Sequence, residues 1–249
     1  MPEAPALLLY DHRSSICSQM ARLALVEKGL PFERRSIDIM DQQEQFEAWY
    51  VALNPRAVVP TLQVGPDEIV TDTIRIVTRL HTFEGPNIAG DPQTPDWLRD
   101  IMALHYGVLL YRKRLEPDGT APQIVARGHH LVALKAKRPD LEGLLTDRLE
   151  RNARFQRLLR DPDAVQTHLD ATRALVDRMA TRVSEVPYLG GATWSVADAF
   201  GTAALARFTL HGFAEWWADT ALADYYARMK ARPSFTTAEV VDEGTERDL

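Results

Sequence analysis

The first third of the chain alternates short apolar runs with stretches of helical periodicity. The run ALLLYD at residues 6–11 is short and apolar, and it predicts a buried strand. In residues 15–29 the apolar positions recur every three or four residues, which predicts a helix. Ser14 and Ser15 can cap its start, because their hydroxyl groups accept from the first N–H groups, and Gly29 suits its end.

Five further elements are predicted before the composition changes. In chain order they are a strand, a helix, two strands and a helix, at residues 32–39, 41–53, 57–64, 68–71 and from Asp72 onward. Asn54-Pro55 ends the second helix, since a residue before proline avoids the α region. The third helix is expected to bury Ile74, Val77 and Leu80. This βαβαββα order predicts a small α/β domain, residues 1–85, around a mixed four-stranded sheet.

The rest of the chain is predicted to be helical. Residues 83–95 hold three prolines and two glycines, which is typical of a linker. Helices are expected at residues 95–115, 121–137, 140–160, 162–183, 199–210 and 220–231. Ser195 and Asp198 have the spacing of a capping box. The acidic tail at 239–249 is expected to be frayed. Residues 96–249 therefore form a predicted all-α domain.

Composition narrows the functional class. The net charge of −6 argues against nucleic acid as the main partner. The one cysteine excludes an internal disulfide framework and fits a reducing, cytoplasmic compartment. No apolar run approaches the roughly 20 residues that span a bilayer, and the N-terminus lacks the features of a secretory signal. The histidines show no metal-ligand spacing, so no metal is predicted.

The single cysteine, Cys17, lies in the first turn of the first predicted helix. A helix N-terminus carries unpaired N–H groups and partial positive charge, so it favours an anion such as a thiolate. The thiolate could belong to Cys17 or to a bound thiol. The alternative is that Cys17 is a small buried hydrophobic residue and that the serines only cap the helix.

Three segments carry a resemblance to a known family. They are NPRAVVPTL at 54–62, TDTIRI at 71–76 and SVADAF at 195–200. With the order of elements, they identify the chain as similar to glutathione S-transferases, and the resemblance implies a thioredoxin-like domain followed by a helical one. SSICS at 14–18 with RLAL at 22–25 resembles zeta-class enzymes, and still more the reductive dehalogenases of tetrachlorohydroquinone. Bacterial β-etherases are related.

The resemblance implies a glutathione site. Ser15 matches the serine that donates a hydrogen bond to the glutathione sulfur and keeps it a thiolate. The peptide of Val59, before a cis-Pro60, would pair with the cysteinyl backbone of glutathione. Asp72 would meet the γ-glutamyl ammonium, and Thr73 would bind the γ-glutamyl carboxylate. Asp72 and Thr73 depart from the Glu or Gln and the Ser that the family usually carries there, which motivates a non-catalytic alternative.

For Cys17 the resemblance implies attack on a glutathionyl-aromatic intermediate, with a mixed disulfide that a second glutathione resolves. This requires an accessible thiol of low pKa. Two helical positions separate Ser15 from Cys17, a rotation of about 200°, so they converge only if Ser15 lies in the non-helical cap. Otherwise Cys17 is a passenger and Ser15 alone activates the thiol.

Other features are weaker. His105, Tyr106 and Tyr111 lie where the family places its electrophile pocket, but aromatic residues there serve equally as core. The arginines that recur every third residue over 148–160 wind round their helix and are expected to face solvent, with carboxylate binding or a subunit contact as the alternative. Trp216-Trp217 is interpreted as packing or as a cap over the pocket.

The sequence thus predicts a glutathione-dependent enzyme that removes a halide or an aryloxide from a hydrophobic aromatic electrophile. Three alternatives stay open: β-aryl ether cleavage of lignin-derived aromatics, zeta-type cis–trans isomerisation, and a non-catalytic subunit of a heterodimer. Arg13 is compatible with the dicarboxylate substrate of an isomerase. The resemblance also implies a homodimer or a heterodimer with a related subunit.

Overall fold

The computed structural model describes residues 5–244. Its strands are β1 (Leu7–Asp11), β2 (Glu33–Ser36), β3 (Thr61–Val64) and β4 (Glu68–Val70). Its helices are α1 (Ile16–Glu27), α2 (Ala48–Leu53), α3 (Thr73–Leu80), α4 (Thr94–Ala103), α5 (Tyr106–Tyr111), α6 (Pro122–Lys137), α7 (Glu142–Leu159), α8 (Pro162–Glu185), α9 (Val196–Leu210), α10 (Ala221–Lys230) and α11 (Pro233–Thr237).

The strands form one mixed sheet in the order β2-β1-β3-β4. β1 runs parallel to β2 and antiparallel to β3, so that Leu9 is paired with Arg34 on one side and with Leu62 on the other. Leu9 and Leu62 are fully buried, and β4 closes the sheet antiparallel to β3. The predicted βαβαββα order is confirmed. The loop between β1 and α1 leaves β1 at its carboxyl end. In α/β sheets, ligands usually bind at the carboxyl ends of the strands.

Three elements of this domain are markedly shorter than the sequence predicts, and the first is the strand predicted over 32–39, which spans only Glu33–Ser36. The stretch 41–53 holds a 3₁₀ turn at Glu44–Phe46 and then α2, after a left-handed Gln43 (φ 53°). The strand predicted from residue 57 begins only at Thr61, after Pro60, which has no N–H to donate to a ladder. Of the residues predicted to face inward on α3, Val77 and Leu80 are buried, whereas Ile74 is only half-buried.

The single helix predicted over 95–115 is wrong. The chain forms α4 and α5, and His105 between them leaves the helical region (φ −91°, ψ 78°). The apolar positions keep a helical spacing across this break, which is why their periodicity could not reveal it. The other predicted helices of the second half are present within a few residues, and α11 is an additional short helix.

The chain forms two compact units. The first consists of residues 5–103 and 176–244, and the second of residues 104–175. In the first unit α9 is buried on nearly all sides, and the capping box of Ser195 and Asp198 is confirmed at its start. The predicted division into domains at residues 1–85 and 96–249 stays a prediction.

The tail also differs from expectation. Val241 is 5% exposed, and its N–H donates to Gln19 Oε1 at 3.3 Å. Asp242 is buried and accepts from the Tyr226 hydroxyl at 3.0 Å. Val241 and Asp242 are therefore packed within the first unit, whereas Glu239, Glu243 and Gly244 are exposed. The remainder of the predicted frayed tail lies outside the described residues.

The second unit has a core of its own. Tyr111, Ala121, Ile124 and Leu159 form a buried cluster there, and Phe155 packs against it. In the part of the chain that the structure describes, no helix is both long and apolar enough to cross a membrane.

Candidate functional site

Ser15 is the N-cap of α1. Its backbone is extended (φ −68°, ψ 120°), and its hydroxyl oxygen accepts from the N–H of Ser18 at 3.3 Å. A serine hydroxyl has one proton to donate besides its two acceptor positions. Because capping uses only an acceptor position, the proton of Ser15 is available for a thiolate placed at the start of α1. Ser15 thus lies in the non-helical cap. This is the position in which the sequence analysis expects the side chains of Ser15 and Cys17 to converge.

The hydroxyl of the neighbouring Ser14, unlike that of Ser15, is paired with a histidine ring. The residue is buried, with 7% of its surface exposed, and its hydroxyl lies 2.9 Å from Nδ1 of His12. The Ser14 N–H also donates to this nitrogen, at 3.3 Å. Nδ1 is therefore an acceptor, which is consistent with burial lowering the pKa of His12. Of the two adjacent serines, Ser15 has the available hydroxyl proton.

Cys17 is half-buried in the first turn of α1, facing the first turn of α3. Burial raises the pKa of the Cys17 thiol above its ordinary value, and the charge of Asp72 acts in the same direction. The Thr73 side chain and the positive charges of Arg207 and Arg56 favour the thiolate but do not outweigh burial. The structure thus brings Cys17 to the site, but without the low pKa that the sequence-based mechanism requires.

Arg207, which the sequence analysis did not single out as a site residue, also reaches this loop. It lies on α9, it is 9% exposed, and its Nη2 donates to the carbonyl oxygen of Ser14 at 2.5 Å. A guanidinium beside the thiol and bonded to the loop stabilises negative charge there. Its position in an apolar helix far along the chain gave no signal that it would meet Ser14.

Pro60 forms a cis peptide bond with Val59, as the resemblance implied. The side-chain amide of Asn54 donates to the carbonyl of Val58 at 2.8 Å, and the hydroxyl of Tyr50 donates to the same oxygen at 2.7 Å. Within residues 5–244 the N–H and carbonyl of Val59 itself make no hydrogen bond. They are consequently available to pair with an extended peptide, as a sheet edge is.

Asp72 and Thr73 lie at the start of α3. Asp72 is the N-cap, and its Oδ1 accepts from the N–H groups of Ile74 and Arg75 at 3.0 and 3.2 Å. Its other oxygen lies 3.4 Å from Nη1 of Arg56. Thr73 is buried, and its side chain acts on Cys17, whose thiol pKa it lowers. Both side chains thus already have protein partners at the positions where the resemblance puts the γ-glutamyl group.

The aromatic residues proposed for the electrophile pocket lie in the second unit. His105 stacks on Phe155 with ring centroids 4.6 Å apart, and Tyr111 meets the same ring edge-on at 5.9 Å. Tyr111 is buried in the core cluster, while Tyr106 is half-buried at the first position of α5. Their place in an electrophile pocket stays a prediction.

The arginines of α7 and the tryptophan pair, which the sequence analysis also considered, have side-chain contacts in the structure. Arg151 and Arg154 form ion pairs along α7 with Asp147 and Glu150. Trp217 is buried edge-on against Tyr226. Among residues 5–244, no group of three or more potential ligands could hold a metal ion.

Comparison with known proteins agrees with this arrangement. The family model of the glutathione S-transferase N-terminal domain matches residues 14–82. Tetrachloro-p-hydroquinone reductive dehalogenase of Sphingobium chlorophenolicum is 32% identical, over 95% of this chain and 97% of its own length. Glutathione S-transferase TCHQD of Arabidopsis thaliana is 28% identical, over 91% of this chain and 87% of its own. The chain therefore belongs to the glutathione S-transferase family.

A solved structure confirms the fold over nearly the whole chain. The β-etherase LigF of Sphingobium sp. strain SYK-6 matches with a TM-score of 0.69 and 20% identity, covering 94% of this chain and 98% of its own. At that identity the match shows the architecture only. Members of the glutathione S-transferase family use glutathione as co-substrate and bind hydrophobic substrates.

Proposed function

We propose that this chain is a glutathione-dependent transferase that removes a halide or an aryloxide from a hydrophobic aromatic electrophile. The observation that carries the proposal is the state of Ser15. Its oxygen caps α1 while its hydroxyl proton stays available, at a helix terminus that favours an anion. A glutathione sulfur bound there would be stabilised as the thiolate, which is the nucleophilic form.

The backbone of Val59 would orient glutathione beside Ser15. Its N–H and carbonyl would pair with the cysteinyl unit, and this would fix the sulfur along the axis of α1. The start of α3 would receive the γ-glutamyl group through Thr73, and Asp72 would meet its ammonium. Asp72 could do so with the oxygen that faces Arg56, because the other oxygen caps α3.

The first chemical step is nucleophilic displacement. The glutathione thiolate attacks the carbon that bears the leaving group, a ring carbon for a halide or the β carbon for an aryl ether, a C–S bond forms, and the halide or aryloxide departs with the bonding electron pair. The Ser15 hydrogen bond must weaken as the sulfur loses its charge, so Ser15 contributes by raising the thiolate population more than by stabilising the product.

The second step, which makes the reaction reductive, would use Cys17. Its thiolate attacks the sulfur of the glutathionyl-aromatic intermediate, an S–S bond forms, and the C–S bond breaks with its electron pair left on carbon, which takes a proton. A second glutathione thiolate then attacks the mixed disulfide, releasing oxidised glutathione and restoring Cys17. The two electrons thus come from two glutathione molecules.

The raised pKa of Cys17 sets a condition on this step. At neutral pH few molecules carry the thiolate, and Thr73, Arg207 and Arg56 are the groups that favour it. We infer that Cys17 reacts only after the intermediate is bound, when its target sulfur lies next to it. The proposal also includes a cytoplasmic location, which suits this thiol chemistry, and a dimeric state.

A panel of substrates tests the proposal. With glutathione present, we expect turnover of a chlorinated hydroquinone, a β-aryl ether or both, and little turnover of a maleyl compound. The products are distinguished by mass: release of chloride with a reduced ring indicates dehalogenation, and release of a phenol indicates ether cleavage. Turnover of the maleyl compound alone would instead establish the isomerase alternative.

One observation favours a second candidate. Asp72 and Thr73 both have protein partners, which would suit a chain that stabilises a related subunit without binding glutathione itself. Calorimetry separates the two functions. An absence of measurable heat at millimolar glutathione would support the non-catalytic subunit and contradict the enzyme.

A further inference from the structure

Arg22 of α1 is a fully buried arginine whose five N–H donors all have partners. Nε donates to the carbonyl of Ala238 at 2.6 Å. Nη1 donates to the carboxylate of Asp11 and to the carbonyl of His12, the latter at 3.4 Å. Nη2 donates to the carbonyls of Arg13 and Glu239 at 3.1 and 3.3 Å. One side chain therefore joins the end of β1, the loop before α1 and the chain at 238–239.

The charges around this guanidinium are balanced within a small group. Asp11 is fully buried and also binds Arg34, whose Nη2 lies 3.1 Å from the carboxylate. Arg34 in turn pairs with Glu239 at 2.9 Å. We call Asp11, Arg22, Arg34 and Glu239 the Arg22 cluster. Its two cations and two anions leave no uncompensated charge, which a buried guanidinium requires.

The cluster reaches Ser15 through a single shared atom. The carbonyl oxygen of His12 accepts from Arg22, and it also accepts from the N–H of Ser15 at 3.1 Å. The next carbonyl, that of Arg13, accepts from Arg22 and from Gln19 Nε2 at 3.2 Å. The two peptide groups that lead into the N-cap are thus held from inside the protein, and the backbone of Ser15 is bonded to one of them.

We propose that Arg22 is a positioning residue, which sets the place of the Ser15 hydroxyl by holding the carbonyl groups of His12 and Arg13, with the chain at Ala238–Glu239 as its second anchor. This inference rests on the proposed function, in which Ser15 contacts the glutathione sulfur. A displacement of about 1 Å at a reacting group can lower the rate by roughly a hundredfold. A group that fixes this loop therefore contributes to the reaction although it does not touch the reactants.

Arg22→Lys is the informative substitution. A lysine ammonium keeps the charge opposite Asp11, but as a compact point charge it cannot replace the five bonds of the guanidinium fork. Arg182→Lys is the matched control. Arg182 also donates to a carboxylate, that of Asp91, and to a backbone carbonyl, that of Leu189 at 3.2 Å, but it has no contact with the loop at residues 12–15.

Two titrations report on the loop. The first follows the thiolate absorbance of glutathione bound to the full-length chain. We expect a thiolate fraction on the order of tenfold lower at neutral pH in Arg22→Lys than in the wild type, and no change in Arg182→Lys. The second follows the rate at which iodoacetamide alkylates Cys17 without glutathione, as a function of pH. We expect the pH dependence of Cys17 alkylation in Arg22→Lys to be shifted relative to that of the wild type. In Arg182→Lys it should match the wild type.

A structural role alone would lower the melting temperature of both lysine variants and leave both titrations unchanged, and that result overturns the proposal. If Arg22→Lys does not fold, Arg34→Gln takes its place, because Arg34 is 30% exposed and its loss removes the outer bonds of Asp11 and Glu239 while Arg22 is kept. A lower thiolate fraction of bound glutathione in Arg34→Gln supports the proposal, and titrations that match those of the wild type overturn it. If the wild type binds no glutathione, the proposed function fails, whereas the alkylation profile still decides the role of Arg22.

Discussion

Thr73 and Cys17 come from the first turns of two different helices, α3 and α1, and the Thr73 side chain acts to lower the pKa of the Cys17 thiol. The two helix N-termini thereby face the same sulfur. Each N-terminus carries partial positive charge, so the pair favours a thiolate more than either helix alone. Burial opposes this effect and prevails in the free protein, where the pKa of Cys17 is raised. The balance between these influences gives the first two predictions.

Replacement of Thr73 by valine should make Cys17 less reactive. Valine has nearly the shape of threonine but no hydroxyl, so the thiolate loses its hydrogen bond while the packing of α3 is kept. We expect alkylation of Cys17 at neutral pH to slow by roughly two- to tenfold, which is the worth of one such bond. Thr73→Ser keeps the hydroxyl and should react like the wild type. Equal rates in the valine variant and the wild type would show that the bond does not govern the thiol.

The raised pKa of Cys17 makes stability depend on pH in a definite direction. The folded state keeps the thiol proton at pH values where the unfolded chain, with an ordinary thiol pKa of about 8.5, has begun to lose it. The contribution of Cys17 to stability is therefore complete below that pH, and it is lost as the pH rises through the folded-state pKa. The difference in unfolding free energy between the wild type and Cys17→Ser, measured in urea, should shrink on raising the pH. A difference that grows would contradict the raised pKa.

Ser15→Ala should reduce the thiolate population of bound glutathione. A hydrogen bond to a charged group is worth about 1.5–3 kcal/mol, which corresponds to a thiolate fraction lower by about tenfold or more. Ser14→Ala is the matched control, since the Ser14 hydroxyl is engaged with His12. The absorbance of the bound thiolate should change in the first variant and persist in the second. The opposite result would assign the activating role to Ser14.

Cys17→Ser separates the two chemical steps. Displacement of the leaving group needs only the glutathione thiolate, so we expect the variant to form the glutathionyl-aromatic conjugate at a rate similar to that of the wild type. Reductive release needs a sulfur nucleophile, so the conjugate should accumulate and oxidised glutathione should not appear. Mass spectrometry of the products measures both. Continued formation of the reduced ring in this variant would remove Cys17 from the reaction.

Asp198→Ala should destabilise the first unit strongly. The buried carboxylate accepts from the N–H groups of Leu189 and Ser195, both at 2.8 Å, and from the Tyr225 hydroxyl at 2.8 Å. Each buried donor left without a partner costs about 1–3 kcal/mol. We therefore expect a loss of about 3 kcal/mol or more in a urea titration. Asp163→Ala, at the exposed first turn of α8, should change stability by no more than about 0.5 kcal/mol.

The sequence by itself determined the order of elements, the cap residues and the chemistry available at the start of α1. Ser15, Asp72 and Ser195 are caps in the structure because capping depends on residues within one turn of each other, and such local relations can be read from the chain. The break before α5 was missed because the periodicity of apolar residues continues through it.

Only the tertiary structure decided how the two serines differ, what faces Cys17 and what holds the loop. His12 engages Ser14, Thr73 meets Cys17, and Arg22 joins the loop to residues more than two hundred positions later. The physical reason is that the pKa of a thiol and the position of a hydroxyl depend on burial and on partners a few ångströms away. These partners come from α3, α9 and the packed tail, whose distances from α1 along the chain bear no relation to their distances in space.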